Sequence, residues 1–187
     1  PDNSQLGAFE AYKYIKTLVK PGDSLNLFFD KKTQDRYGRI LAHVRLKSKK
    51  NLAALLLRQG LVQQLVFPPN IKFWKCYQVL EKKAQAEKKG IWATSRYTAK
   101  NTDSANKFTS GYQRFKGVVT QKSFSNRYIW YRLDDKIWLG FKKNNLIYFP
   151  KKYFENFVGK KIDVRGWVYY SHDSLRIRIN HPLQIQF

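Results

Sequence analysis

Arg39 is the sharpest candidate for chemistry in this chain. It stands in the run Asp35-Arg36-Tyr37-Gly38-Arg39-Ile40-Leu41-Ala42, directly after a glycine and at the start of a strand-like segment. An arginine so placed can aim a planar, permanently charged fork at a phosphate. It can also stabilise the charge that builds on a phosphodiester as it reacts. A second set lies downstream: Tyr128, Trp130, Arg132, Trp138, Arg165, Trp167, Arg176 and Arg178. Rings stack on bases and guanidiniums take phosphates, so this interleaving suits a single nucleic-acid strand; stacking is worth about 1–3 kcal/mol per base. The opposing reading packs Trp130, Trp138 and Trp167 against the linker or the first domain and leaves the arginines as a solvated face.

Other reactive residue types carry less. His43, His172 and His181 fall in separate segments without ligand spacing. His43 alternates with Val44 and reads as an ordinary exposed or half-buried histidine; His181, before Pro182, reads as a turn hydrogen bond. Asp134-Asp135 reads as a hairpin turn rather than a metal pair. Cys76 is the lone cysteine, so an internal disulfide is excluded, and it has neither metal-ligand spacing nor a partner histidine. The glycines are isolated stops, with no phosphate-cradling loop.

Charge narrows the partner. The chain has 36 Lys and Arg against 13 Asp and Glu in 187 residues, a net charge of +23. That is well beyond what solubility requires, and it selects a polyanion: DNA or RNA, bound with strong salt dependence. Up to residue 108 there are 21 basic and 8 acidic residues, and after it 15 and 5, so both halves are basic. An anionic membrane surface is the rival partner. No apolar run of about 18 residues exists to span a bilayer, nor does a basic helix with a continuous apolar stripe, so no membrane is expected. Metal-assisted hydrolysis needs grouped carboxylates, and acids are scarce.

The elements that position these residues follow from periodicity. Leu6, Phe9, Ile15 and Val19 recur at helical spacing until Pro21-Gly22. Residues 24–30 alternate, with Leu25, Leu27 and Phe29 on one face; residues 31–34 form a turn and 37–46 a second strand. Asn51 caps a short helix over 52–59 that Gly60 ends. An extended run over 61–67 stops at Pro68-Pro69, and a longer helix over 70–89 shows Trp74, Tyr77, Leu80 and Ala84 on one face. Residues 94–112 are polar and turn-prone and read as a linker. Beyond it come strands at 115–121, 128–133 and 136–141, a short helix at 150–157, then strands at 162–169 and 174–180, with a possible last edge at 183–187.

Three strands, a helix and two strands is the order of an OB-fold barrel; a bare antiparallel sheet is the alternative. Alternation puts Ile129, Tyr131, Leu133, Ile137, Leu139, Phe141, Ile162, Val164, Gly166, Val168, Leu175, Ile177 and Ile179 inside. The ring and guanidinium set, with Tyr169 and Asn180, then lies outside. The fold class is α+β, mainly β.

Three blocks, read in order, resemble the staphylococcal nuclease (thermonuclease) family: Asp35 to Ala42, Leu55-Leu56-Leu57-Arg58-Gln59-Gly60-Leu61, and Ala84-Gln85-Ala86-Glu87-Lys88-Lys89-Gly90-Ile91-Trp92. The resemblance covers about residues 1–92. The run from Lys161 to Val168, with Asn180-His181-Pro182-Leu183-Gln184-Ile185, resembles the OB-like domain that follows the nuclease domain in some bacterial relatives. The resemblance implies a partial OB-fold domain with helices over 1–93, a linker over 94–112 and an OB-fold-like barrel over 113–187. It further implies Ca²⁺-dependent hydrolysis of DNA and RNA phosphodiesters, with Arg39 as a catalytic arginine. The family's cation-holding carboxylates sit on three strands upstream, which this sequence does not contain. Asp2 then stands where the family has its catalytic Glu; the alternative is a frayed terminus.

Removing those strands exposes a sheet edge, to be covered by a complementing amino-terminal segment or by self-association. No cofactor is expected for this chain alone. Three functions stay open: a nuclease active only once the missing strands are supplied, a non-catalytic module for single strands, and a structural protein with an acidic partner. The expectation for the chain by itself is binding without cleavage.

Overall fold

The computed structural model describes residues 7–187, and the chain divides into two compact units, the first ending at Arg96 and the second beginning at Tyr97.

The first unit opens with helix α1 (Ala8–Leu18), followed by a hairpin of β1 (Asn26–Gln34) and β2 (Ile40–Arg45), then α2 (Leu52–Arg58) and α3 (Trp74–Ala86). Asn51 caps α2 as expected, its Oδ1 accepting the Ala54 N–H at 3.0 Å. The hairpin turn lies later than its composition suggested. β1 runs through Gln34, and the reversal is made by Asp35 to Gly38, where Asp35 accepts the N–H groups of Tyr37 and Arg39. The buried face of α3 is Tyr77, Glu81 and Ala84. Glu81 fits there because its carboxylate accepts the Gln64 N–H at 2.6 Å.

Two glycines tie the helices together. Gly60 ends α2 at φ +66°, and its carbonyl accepts the Ile91 N–H at 2.9 Å. Backbone lies on backbone here: a Cβ on Gly60 would collide with the Lys89 carbonyl, and one on Gly90 with the Gly60 carbonyl. The apolar core of this unit is small: Leu46, Leu56, Leu57, Val66, Tyr77, Ala84 and Ile91. Among the described residues neither β1 nor β2 has a second neighbouring strand. Leu27 and Phe29, expected to share a face, remain 44% and 43% exposed.

The second unit is built on one sheet. Its strands are β3 (Lys100–Asn101), β4 (Gly111–Phe124), β5 (Tyr128–Leu133), β6 (Ile137–Lys142), β7 (Lys161–Ser171), β8 (Ser174–Ile179) and β9 (Ile185–Gln186). The pairing runs β4-β5-β6-β8-β7, and β7 pairs back onto β4, with β6 and β8 parallel. With β6 and β8 parallel, this is not a purely antiparallel sheet. β4 serves both sides. Gly111 to Val118 pair with β7, then the register shifts and Val119 to Phe124 pair with β5. Asp134 pins the switch: its carboxylate accepts the Val118 N–H at 2.7 Å and the Thr102 hydroxyl at 2.7 Å. The segment read as a linker is therefore partly folded onto the barrel, with β3 parallel to β4 and Thr102 buried.

The expected inward residues form the core, from Tyr131 and Phe141 to Ile177 and Ile179, with Ile129 at its margin. The expected helix at 150–157 is absent. That stretch is a series of turns, and a 3-10 helix, Lys143–Tyr148, comes before it. Phe149, Tyr153, Phe154 and Phe157 pack as a cluster of rings around Tyr131 and Phe141. Seating four rings there favours i→i−3 bonds such as Tyr153 N to Pro150 O, and Asn156 turns left-handed at φ +50°.

Candidate nucleic-acid interface

Arg39 lies at the end of the β1–β2 turn and is built into it. Asp35 Oδ1 accepts the N–H of Tyr37 at 2.8 Å and of Arg39 at 3.0 Å, while Oδ2 takes Arg39 Nε at 2.6 Å. Desolvation of Asp35 acts upwards, but the Tyr37 and Arg39 N–H groups and the Arg39 guanidinium together outweigh it and hold the carboxyl below its usual range. The guanidinium lies 5.2 Å from the Tyr37 ring centre, and Arg36 lies over the same ring at 4.7 Å. The Arg39 side chain remains 73% exposed. One edge of the fork is thus tethered while the rest faces solvent, a geometry suited to an anion. Sequence reading missed Asp35 as the tether, although an acid four residues before Arg39 across a Tyr-Gly turn is a visible signal.

No cation site accompanies it. Among the described residues no three His, Cys, Asp or Glu side chains converge as metal ligands. Asp30, on the same hairpin, spends its oxygens on the N–H groups of Lys31 at 2.8 Å and Lys72 at 2.6 Å. The described residues therefore do not fit the Ca²⁺ that the resemblance implied. Asp2 lies outside the described residues. His43 is a strut rather than a reactive group: Nδ1 lies 2.9 Å from the Tyr77 hydroxyl, which donates to Asn51 Oδ1 at 3.1 Å. Desolvation lowers its pKa.

The outer wall of the second unit brings most of the remaining candidates together. Strand register places Arg132, Trp138, Arg176 and Tyr169 in one row across β5, β6, β8 and β7. Trp130, Gly140 and Arg178 lie in the row beside it. The rings do not stand clear as stacking plates. Arg132 lies over Trp138 at 5.3 Å, Arg176 over Trp130 at 4.8 Å and Arg178 over Tyr169 at 5.1 Å. Trp130 also packs against Gly140, where a Cβ would fall 2.5 Å from the indole. Tyr128 leans on Trp130 at 5.2 Å. None of the ion pairs among the described residues engages Arg132, Arg176 or Arg178. Asp163 pairs instead with Arg114 at 2.7 Å.

Two expected members behave differently. Arg165 is only 3% exposed, so it is no part of an open surface; its strand neighbour is Arg114, and Gln184 bonds its carbonyl at 3.1 Å. Trp167 is 51% exposed and meets Tyr112 edge-on at 4.8 Å. Sequence reading overlooked Gly140. Alternation alone puts it on the outer row opposite Trp130, which was the available signal.

Comparisons with known proteins bear on the first unit. Residues 4–94 match the family model described as staphylococcal nuclease homologue, SNase. Over 90 residues the chain is 38% identical to endonuclease YncB of Bacillus subtilis (strain 168), covering 47% of this chain and 42% of that protein. It is likewise 38% identical over 90 residues to the SPbeta prophage-derived endonuclease YokF of the same organism, covering 47% and 30%. Against the thermonuclease of Staphylococcus hyicus it is 38% identical over 69 residues, covering 37% and 40%. The chain thus spans less than half the length of each of these relatives. The glycine-locked helices and the Asp35–Arg39 turn lie inside the matched region, so residues 4–94 are similar in sequence to the staphylococcal nuclease family.

Proposed function

We propose that this chain acts on nucleic acid, with the first unit presenting Arg39 to a phosphodiester and the second unit holding the polymer. The observation that carries this reading is the geometry of Arg39, tethered by Asp35 yet open to solvent, within a segment similar to endonucleases. Phosphodiester hydrolysis then needs Ca²⁺-holding carboxylates beyond those the described residues bring together. A complementing segment or a second copy of the chain is their proposed source. One arginine stabilises charge but does not activate water.

The chain by itself is expected to bind labelled DNA or RNA, with affinity falling steeply with salt, and not to cut it. Gel analysis of product with Ca²⁺ and with chelator checks this. Any Ca²⁺-dependent cleavage that appears should drop by about 10²–10³-fold in Arg39→Ala, the usual cost of losing a donor to the developing charge. Cleavage that survives Arg39→Ala would remove Arg39 from the reaction.

A second reading, a non-catalytic module for single strands, is favoured by the unneutralised arginines of the barrel wall. It shares the polymer with the first reading and differs in leaving the bond intact.

A further inference from the structure

We propose that the outer wall of the second unit is a single-strand site in which unpaired bases stack on the guanidiniums of Arg132, Arg176 and Arg178, the rings beneath serving as seats. This rests on the reading that the chain handles nucleic acid, and it assigns the place, the strand state and the mode.

Three observations combine. The indole of Trp130 lies against Gly140 and also carries the Arg176 guanidinium over its ring at 4.8 Å, so the ring is already partly covered. A guanidinium lies over a ring again at Trp138–Arg132 and at Tyr169–Arg178, where Arg178 Nε also donates to the Tyr169 hydroxyl at 3.4 Å. Each ring fixes the plane of its arginine, which removes the rotamer entropy that a free arginine loses on binding. Lastly, no carboxylate among the described residues forms an ion pair with these three arginines. The wall therefore offers oriented, cationic, planar surfaces with N–H groups at their edges.

A nucleotide fits both features. Its base is a flat π-system that stacks on a guanidinium plane, and its phosphate accepts the edge N–H groups. A duplex offers only the phosphates, because its bases are already stacked on one another. The row from Arg132 to Tyr169 crosses four strands spaced about 4.8 Å apart, roughly 14 Å in all, which suits a few nucleotides and falls at the short end of known OB-fold sites. The +10 charge of residues 109–187 adds attraction without regard to strand state.

The discriminating variant is Arg176→Lys, which keeps the charge and loses the plane. Fluorescence anisotropy of the full chain, with chelator present to prevent cleavage, would compare a single strand of about 12 nucleotides with the matching duplex across a salt series. The wild type should bind the single strand about 10-fold more tightly. Arg176→Lys should lose about 10-fold for the single strand, bind the duplex as before, and keep the same slope of affinity against salt. Arg132→Lys should act in the same direction, which keeps the test decisive if one variant melts at lower temperature than wild type. Equal affinity for single strand and duplex, or lysine variants that bind the single strand as wild type does, would overturn the proposal. No binding to either probe at low salt would sink the wider nucleic-acid reading as well.

Discussion

Alanine at position 60 should unfold the amino-terminal unit while the carboxy-terminal barrel stays folded. Two effects add. Gly60 sits at φ +66°, where a residue with a Cβ is disfavoured by about 1–2 kcal/mol. The new methyl would also collide with the Lys89 carbonyl, and backbone on both sides leaves no flexible group to yield. Relief requires parting Gly60 from Gly90, which breaks the Ile91 N–H bond to the Gly60 carbonyl and opens the packing of α2 on α3. A combined loss of about 3 kcal/mol or more is expected, at the severe end for one substitution. The small core of this unit has little reserve to absorb it. Limited proteolysis and thermal melting of the full chain check this: Gly60→Ala should be cut within residues 7–96 and should lose the lower melting transition. A variant that melts within about 1 kcal/mol of wild type would mean that the two backbones can separate freely.

Acid should weaken the second unit through His181. This side chain is 1% exposed, and its Nδ1 accepts the Leu183 N–H at 3.2 Å at the start of the last turn before β9. Burial pushes its pKa down from 6.5 to about 4. The unfolded chain therefore takes up this proton at a higher pH than the folded chain does. The stabilisation is complete above about pH 6.5 and is lost as pH falls through about 4, amounting to about 3 kcal/mol over the window at about 1.36 kcal/mol per pKa unit. Urea unfolding of the barrel at several pH values should show stability dropping across that range. His181→Asn keeps an oxygen to accept the Leu183 N–H and removes the titration, so its profile should be flatter there. An unchanged profile in the variant would assign the acid sensitivity to other groups.

Much of the barrel was legible because its signals are local and mutually consistent. Strict alternation located β5 to the residue, and the same alternation separated Leu139 and Ile177 from Trp138 and Arg176. The double-aspartate turn between β5 and β6 was equally readable, with Asp134 and Asp135 at φ +45° and +53°. What escaped depends on contacts distant in sequence. Arg165 alternates with its strand neighbours as Trp167 does, yet the fold leaves it only 3% exposed, which alternation alone does not show. The ring–guanidinium layering escaped for the same reason: composition supplies rings and arginines, whereas which covers which is set by register. Residues 150–157 carry a helix-like count of apolar positions, yet the seats around Tyr131 and Phe141 impose turns. In the first unit Gly60 and Gly90 read as two separate stops, and nothing local reveals that they meet.

The way β4 divides itself between two partners bears on how quickly the barrel assembles. Its first half waits for β7, with Gly111 opposite Val168, and β6 must find β8 in parallel, with Ile137 opposite Leu175. Neither pairing can zip outward from a neighbouring turn, so loop-closure entropy is spent before the contacts reward it. Domains dominated by such remote pairings fold on timescales of about milliseconds to seconds. The β5–β6 hairpin, closed by Asp134 and Asp135, is then the natural early nucleus, and the β7-to-β4 seam the last to zip.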